Sequence, residues 1–225
     1  MLKRILSYFF PVVIYQRKSA LSKNLEVTWN NGQLVLDSKN TNYSYGSLQR
    51  ALRKGLRHIG FDTIKSMESV LVLGVAGGSV IKTLVDEIQF TGKITGVEID
   101  PEITQIANEY FSLDKIPNLL MVIDDAFEFV LRSKKHYDLI IIDIFQDTLM
   151  PNFLFEEFFI SRTGLLLTEK GFILFNTMVL NQEQIIRNEK YCVNFRKHGF
   201  YVQRLPRFEK HNELLIIQNK KAAIN

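Results

Sequence analysis

The stretch from Val70 to Asp100 constrains this chain more than any other. It reads Val70-Leu71-Val72-Leu73-Gly74-Val75-Ala76-Gly77-Gly78-Ser79, then a helix-compatible segment, then Ile94-Thr95-Gly96-Val97-Glu98-Ile99-Asp100. An apolar, β-branched run enters a glycine turn, a helix follows, and a second apolar run ends in acid. That order predicts one βαβ unit with a nucleotide-type site at the mouth of its first turn. Gly74 can take backbone conformations closed to other residues. Gly77 and Gly78 leave the helix start bare, so a ligand can approach the main chain. The pattern is Gly-x-Ala-Gly-Gly, short of the full Gly-x-Gly-x-x-Gly of dinucleotide sites. Glu98 follows Gly78 by 20 residues, near the spacing at which an acid takes ribose hydroxyls.

The alternation continues beyond this unit. Strand-like runs occupy 69–74, 93–98, 118–123, 137–143 and 170–177, with helix-like runs at 78–90, 101–112, 125–134 and about 152–167 between them. Pro101 stands at a favourable first-turn position, with Asp100 before it as a cap. A last helix over 181–198 precedes two closing strands at 200–205 and 212–218, which Lys210-His211-Asn212 links as an antiparallel pair. Regular alternation of β and α predicts a parallel sheet covered by helices on both faces. Ahead of it, Leu25-Glu26-Val27-Thr28-Trp29 and Gln33-Leu34-Val35-Leu36-Asp37 alternate around the turn signal Asn30-Asn31-Gly32, which predicts a small hairpin.

Length and composition set outer bounds. At 225 residues the chain makes one large domain, or one domain with a small appendage, divided here into an arm and hairpin over 1–43 and the main domain over 44–225. With 46% hydrophobic and 23% charged residues it can bury a substantial core. A net charge of +4 permits an acidic partner without demanding one. Cys192 is the single cysteine, which excludes an internal disulfide, fits a reducing, cytoplasmic setting, and predicts a packed thiol. Lys3 and Arg4 precede the apolar run Ile5–Ile14, which resembles a signal peptide. The run is broken by Pro11, lacks a small-residue cleavage site, and is too short to span a bilayer. It reads as a structured arm packed on the body or on a second subunit. A helix opening near Ser47 carries Arg50, Arg53, Lys54, Arg57 and His58. Without an aromatic stacking platform, a solvated face is favoured over a nucleic-acid surface.

The strand ends carry the strongest functional signal. Ligands of such sheets bind beyond the carboxyl ends of the strands. The first end supplies Gly74 to Gly78, the second Glu98 and Asp100, the third Asp124 and Asp125, and the fourth Asp143. Carboxylates accept hydrogen bonds from ribose hydroxyls and an adenine amine, and they attract a sulfonium or ammonium charge. They would repel a pyrophosphate, and no Lys follows the glycines as in a P-loop. The histidines His58, His136, His198 and His211 form no ligand-spaced pair, so no metal is expected. No Gly-x-Ser-x-Gly elbow offers a hydrolase nucleophile.

Taken in order, Gly-x-Ala-Gly-Gly, Val-Glu-Ile-Asp-Pro-Glu, Asp-Asp-Ala-Phe-Glu-Phe and Tyr-Asp-Leu-Ile-Ile-Ile-Asp resemble a class I S-adenosylmethionine-dependent transferase. Within that superfamily they resemble the spermidine synthase (polyamine aminopropyltransferase) branch, over roughly residues 25–178. The resemblance implies a Rossmann-like, doubly wound, mostly parallel seven-stranded sheet with a terminal antiparallel strand. It implies S-adenosylmethionine, or its decarboxylated form, as cofactor. Gly74, Ala76, Gly77, Gly78, Glu98, Ile99, Asp125, Ala126 and Asp143 would form the cofactor site, with Glu98 on the ribose hydroxyls and Asp125 and Ala126 on the adenine. Asp143 matches the family's catalytic aspartate, and Tyr45 a tyrosine lining the reaction centre. A homodimer is also implied.

The departures from that pattern point elsewhere for the reaction. Aminopropyltransferases place an aspartate in the glycine turn to grip the ammonium of decarboxylated S-adenosylmethionine, where this chain has Gly77. An acid that helps bind the amine substrate is replaced by Ser47. After the catalytic aspartate, Ile144-Phe145-Gln146-Asp147 stands for Ser/Thr, Ser/Thr, Asp, Pro. A diamine carries two positive charges and needs such carboxylates. The expectation is therefore methyl transfer to a small, less polar acceptor. The alternatives are aminopropyl transfer and a non-catalytic binding protein on the same fold. Asp124 is expected to be a surface acid, and Phe127 and Phe129 core residues.

Overall fold

A computed structural model describes residues 1–21, 24–38, 42–44, 47–145, 149–208 and 211–219. The N-terminal arm is built into the body. Helix α1 (Leu2–Leu6) leads to β1 (Val12–Arg17), which pairs antiparallel with β2 (Leu25–Asn30), and the sheet continues through β3 (Gln33–Ser38) to β4 (Asn42–Ser44). The predicted hairpin is thus the centre of a four-stranded sheet. Ser7 fastens the arm to the hairpin turn: its hydroxyl donates to Arg4 O at 2.6 Å and accepts from Gly32 N at 2.9 Å. The Arg4 guanidinium lies 5.6 Å from the Trp29 ring, a cation–π contact across the same junction.

The chain then runs through α2 (Ser47–Ile59) and α3 (Phe61–Lys65) into the alternating region. Here the elements are β5 (Ser69–Leu73), α4 (Ser79–Lys82), β6 (Lys93–Glu98), α5 (Pro101–Phe111), β7 (Leu119–Ile123), α6 (Ala126–Arg132) and β8 (Tyr137–Ile142). They continue through α7 (Glu157–Leu165), β9 (Leu167–Met178), α8 (Gln182–Lys197), β10 (Phe200–Phe208) and β11 (Asn212–Asn219). The seven-stranded sheet has the order β10-β11-β9-β8-β5-β6-β7. Only the chain-terminal β11 runs against its neighbours, and it lies between β9 and β10. The order reverses at β5, which pairs in parallel with β6 on one side and β8 on the other. This is the doubly wound, Rossmann-like arrangement, and β5 is its switch point.

Strand periodicity explains the two cores. On β8, Ile140 and Ile142 face one side with Leu71, Leu73, Phe175 and the helices α6, α7 and α8, while Leu139 and Ile141 face the other with Val70, Val72 and α2–α5. Cys192 lies in the first core, where burial pushes its thiol up to about 11. Phe127 and Phe129 pack against that core as expected. Helix α5 has a double role, because Ala107 faces the main sheet whereas Ile103, Ile106 and Phe111 pack on Leu25, Val27 and Leu36 of the small sheet.

The segment predicted as one helix over 78–90 divides. The α-turns of α4 pass into a π-helical stretch, Thr83–Glu87, closed by Ile88 N donating to Thr83 O at 3.0 Å. The wider turn lets Val80, Ile81, Leu84, Ile88 and Phe90 all reach the same core. The 152–167 helix likewise splits into a 3-10 turn, Asn152–Phe155, and α7, while β9 starts earlier than predicted, at Leu167.

Candidate active site

Four strand ends meet at one edge of the large sheet. β5 leaves through Gly74, whose φ is +84 and whose amide donates to Val97 O at 3.0 Å on β6. A Cβ added there would stand 2.3 Å from the carbonyl oxygen of Asp143, so the position admits only glycine. Asp143 N in turn donates to Leu73 O at 2.9 Å. The glycine turn thus sits in van der Waals register with the exit of β8, and Asp143 is carried to its flank. Ala76 takes a left-handed conformation at φ +49, an arrangement costly for a side-chain-bearing residue. Gly78, at φ +76, caps α4.

Glu98 is what holds Ala76 in place. Its Oε2 accepts from Val75 N at 3.2 Å and Ala76 N at 2.9 Å, and its Oε1 accepts from Asp100 N at 3.1 Å. Burial pushes its pKa up, and the three backbone donors oppose that rise. Ile99, directly after it, is 43% exposed, an apolar side chain presented at the sheet edge.

The remaining acids divide by their partners. Asp100 caps α5, with Oδ1 accepting from Glu102 N at 3.0 Å, while its Oδ2 accepts from Ser19 Oγ at 2.5 Å. Arg17 pairs with Glu102 at 2.8 Å and donates to Gln105 at 3.2 Å. The segment after β1 therefore lies over the start of α5. Asp125 caps α6, with Oδ1 accepting from Phe127 N at 2.7 Å, so Ala126 opens a helix beside it. Asp124 forms an ion pair with Arg132, as a surface acid would.

Asp143, unlike the other acids, accepts from a side-chain amide alone. Its Oδ1 accepts from Asn176 Nδ2 at 2.9 Å, and its Oδ2 has no protein donor among the described residues. Burial raises its pKa to about 7, opposed only by the Asn176 hydrogen bond. Ile144 and Phe145 follow it and pack against the first core.

Of the predicted site residues, the structure gathers Gly74, Ala76, Gly77, Gly78, Glu98, Ile99, Asp125, Ala126 and Asp143 at the strand ends, turns and helix start of this one edge. Tyr45, and with it Gln146 and Asp147, lies outside the described residues. Two partners were not foreseen. Ser19 reaches Asp100 across 81 residues of sequence, which no local pattern announces. Asn176 was legible in principle, because it stands at the carboxyl end of the fifth strand and the strand-end rule applies there too.

On the basic helix, Arg53 donates from Nε to both oxygens of Glu87, at 2.6 and 2.7 Å, and lies over the Phe61 ring with Arg57. These side chains are engaged within the chain. No described helix is long and apolar enough to cross a membrane.

Residues 50–225 match the spermine/spermidine synthase domain. The curated relatives include both aminopropyltransferases and methyltransferases. The polyamine aminopropyltransferase of Vibrio vulnificus is 33% identical over 113 residues, covering 49% of this chain and 38% of the relative. The chain thus matches less than half the length of that relative. Among solved structures, spermidine synthase from Thermotoga maritima superposes with a TM-score of 0.70 at 19% identity, covering 93% of this chain and 73% of the other. Human methyltransferase-like protein 13 in complex with SAH superposes with a TM-score of 0.64 at 21% identity, covering 78% of this chain and 83% of the other.

Proposed function

Because the chain belongs to the spermine/spermidine synthase family, we propose that it is an S-adenosylmethionine-dependent transferase, and that it moves a methyl group to a small acceptor. Three features of the sheet edge fit such a cofactor. Ala76 is held in a left-handed turn by Glu98, Ile99 offers an apolar surface, and Asp125 and Ala126 begin a helix beside them. Glu98 would take the ribose hydroxyls, Ile99 the flat base, and Asp125 with Ala126 the adenine edge. Bound there, S-adenosylmethionine supplies a methyl group activated by its sulfonium.

Asp143 does the proton work in this reading. A carboxylate with a pKa of about 7 is half ionised near neutral pH, which suits a general base. Its Oδ2 faces no protein donor among the described residues, leaving it for the acceptor's N–H or O–H. Ile144 and Phe145 follow it where the aminopropyltransferase resemblance calls for Ser/Thr, Ser/Thr, which favours an acceptor less polar than a diamine. Positioning the acceptor against the cofactor supplies much of the rate.

The single observation that carries methyl over aminopropyl transfer is Gly77. It has no side chain at the place where the aminopropyltransferase resemblance calls for an ammonium-gripping aspartate. The family match and the Vibrio relative favour the second reading, aminopropyl transfer from decarboxylated S-adenosylmethionine. Thermal-shift titration separates the two. S-adenosylmethionine is expected to stabilise the protein at least as well as the decarboxylated form. A much larger shift with the decarboxylated form reverses the assignment. If neither ligand, nor methylthioadenosine, produces a shift at millimolar concentration, a non-catalytic protein on the same fold is favoured. Asp125→Ala is expected to weaken S-adenosylmethionine binding about tenfold, read by calorimetry, through loss of one good polar contact.

A further inference from the structure

A chain of two amides stands behind Asp143. Asn176, fully buried on β9, donates from Nδ2 to Asp143 Oδ1 at 2.9 Å. Asn212, at the start of β11, donates from its own Nδ2 to Asn176 Oδ1 at 2.9 Å. The direction of this chain has a chemical consequence. A side-chain amide carries its donor on one atom and its acceptor on the other. With Asn212 occupying the oxygen of Asn176, the amino group of Asn176 is the group left to face Asp143. A donor aimed at a carboxylate favours its ionised form. Turned over, Asn176 would present an oxygen, which only a protonated carboxyl can bond.

We infer that Asn212 fixes the amide orientation of Asn176, and that Asn176 so oriented keeps Asp143 a proton acceptor during transfer. Both are positioning residues. The inference rests on the reading of Asp143 as the acceptor-facing base, and it adds the elements, β9 and β11, that set the strength of that base.

The other charged groups nearby are already engaged. Glu98 faces the glycine turn, bonded to Val75, Ala76 and Asp100. Glu213, next to Asn212 in sequence, bonds to Asn188 and Arg204. Arg187 of α8 donates to Met178 O and Asn188. Asp138, on β8 itself, is held at the opposite end of the strand by Glu68 N, Ser69 and Thr168. β5 carries no charged residue. Among the described residues, the amide of Asn176 is therefore the only group that acts on Asp143 against burial.

The test follows the Asp143 carboxyl by carbon-13 NMR through a pH titration, in protein labelled at aspartate. N176L removes the donor and is expected to raise the Asp143 midpoint by about one to two units. N212L frees Asn176 to turn and raises it by less. N212D raises it further than N212L, because an aspartate at 212 accepts from Asn176 and turns the Asn176 oxygen toward Asp143. Asn176 is buried and its replacement puts folding at risk, so the half-buried Asn212 variants decide the matter alone. Midpoints unchanged in N212L and N212D, with only the melting temperature lowered, mean that the two amides are merely structural and overturn the inference. The underlying reading fails separately. If calorimetry shows that D143N loses S-adenosylmethionine binding as completely as D125A does, Asp143 is not the acceptor-facing base, whatever the titration shows.

Discussion

Glu98 and Asp143 invite comparison, because they end the two strands that flank β5. Burial raises the pKa of both carboxyls. What answers the burial differs. Glu98 receives three backbone N–H groups and is bound into the main chain on both oxygens. Asp143 receives one neutral amide on one oxygen. The first acid is part of the architecture of the turn. Among the described residues the second has a single partner, which leaves it able to exchange a proton. One sheet edge thus holds a rigid half and a titratable half, and the switch point between them is where the ligand of such a sheet binds.

The largest effect that would test this contrast is Glu98→Ala. It strands three backbone donors, one of them on the buried Val75, and releases Ala76 from its left-handed turn. A stability loss of about 4 kcal/mol is expected from urea unfolding, together with loss of cofactor binding. A loss under about 1 kcal/mol would show that the turn holds itself and that the contrast is false.

Asp143→Asn should act in the opposite direction. The native pKa of about 7 lies above the ordinary value of 3.8, so the native state holds its proton over a range where the unfolded chain has released it. Stability therefore falls as pH rises from about 4 to about 7 and then levels. Removing the charge should stabilise the protein by about 2–4 kcal/mol at pH 8, a gain that vanishes below pH 4, read by denaturant titration at both pH values. A gain that does not depend on pH would show that Asp143 is not a buried titrating acid.

The smallest effect belongs to Asp124→Asn. Its ion pair with the largely exposed Arg132 should contribute less than about 1 kcal/mol. A larger change in the melting transition, or any change in cofactor binding, would place Asp124 within the site and blur the division of labour at the edge.

Much of this was readable in the sequence, for reasons that can be named. Strand β6 falls at 93–98 as predicted because its apolar run is bounded by Gly92 and Asp100, and Asp100 caps α5 through a purely local contact. The acids at the strand ends were legible because a parallel sheet sends every carboxyl end to one edge. What escaped was of three kinds. The π-helical stretch after α4 follows from packing against a core that periodicity does not describe. The contacts of Ser19 with Asp100 and of Asn212 with Asn176 join residues 81 and 36 positions apart, and a pattern read along the chain is blind to both. Both outer strands of the small sheet were missed: β1 interrupts its alternation at a register shift between Val13 and Tyr15, and β4 is only three residues long.

The clasp between Ser19 and Asp100 also imposes an order of events during synthesis. Ser19 leaves the ribosome 81 residues before the carboxylate that will hold it. At ordinary elongation rates that is a wait on the order of 5–15 s. Throughout it, Arg17 and Ser19 have no helix α5 to dock upon, and the hairpin must keep Leu25, Val27 and Leu36 from associating elsewhere. The small sheet is thus made first and finished late, because its contact with the start of α5 forms only when the two ends of this long loop meet.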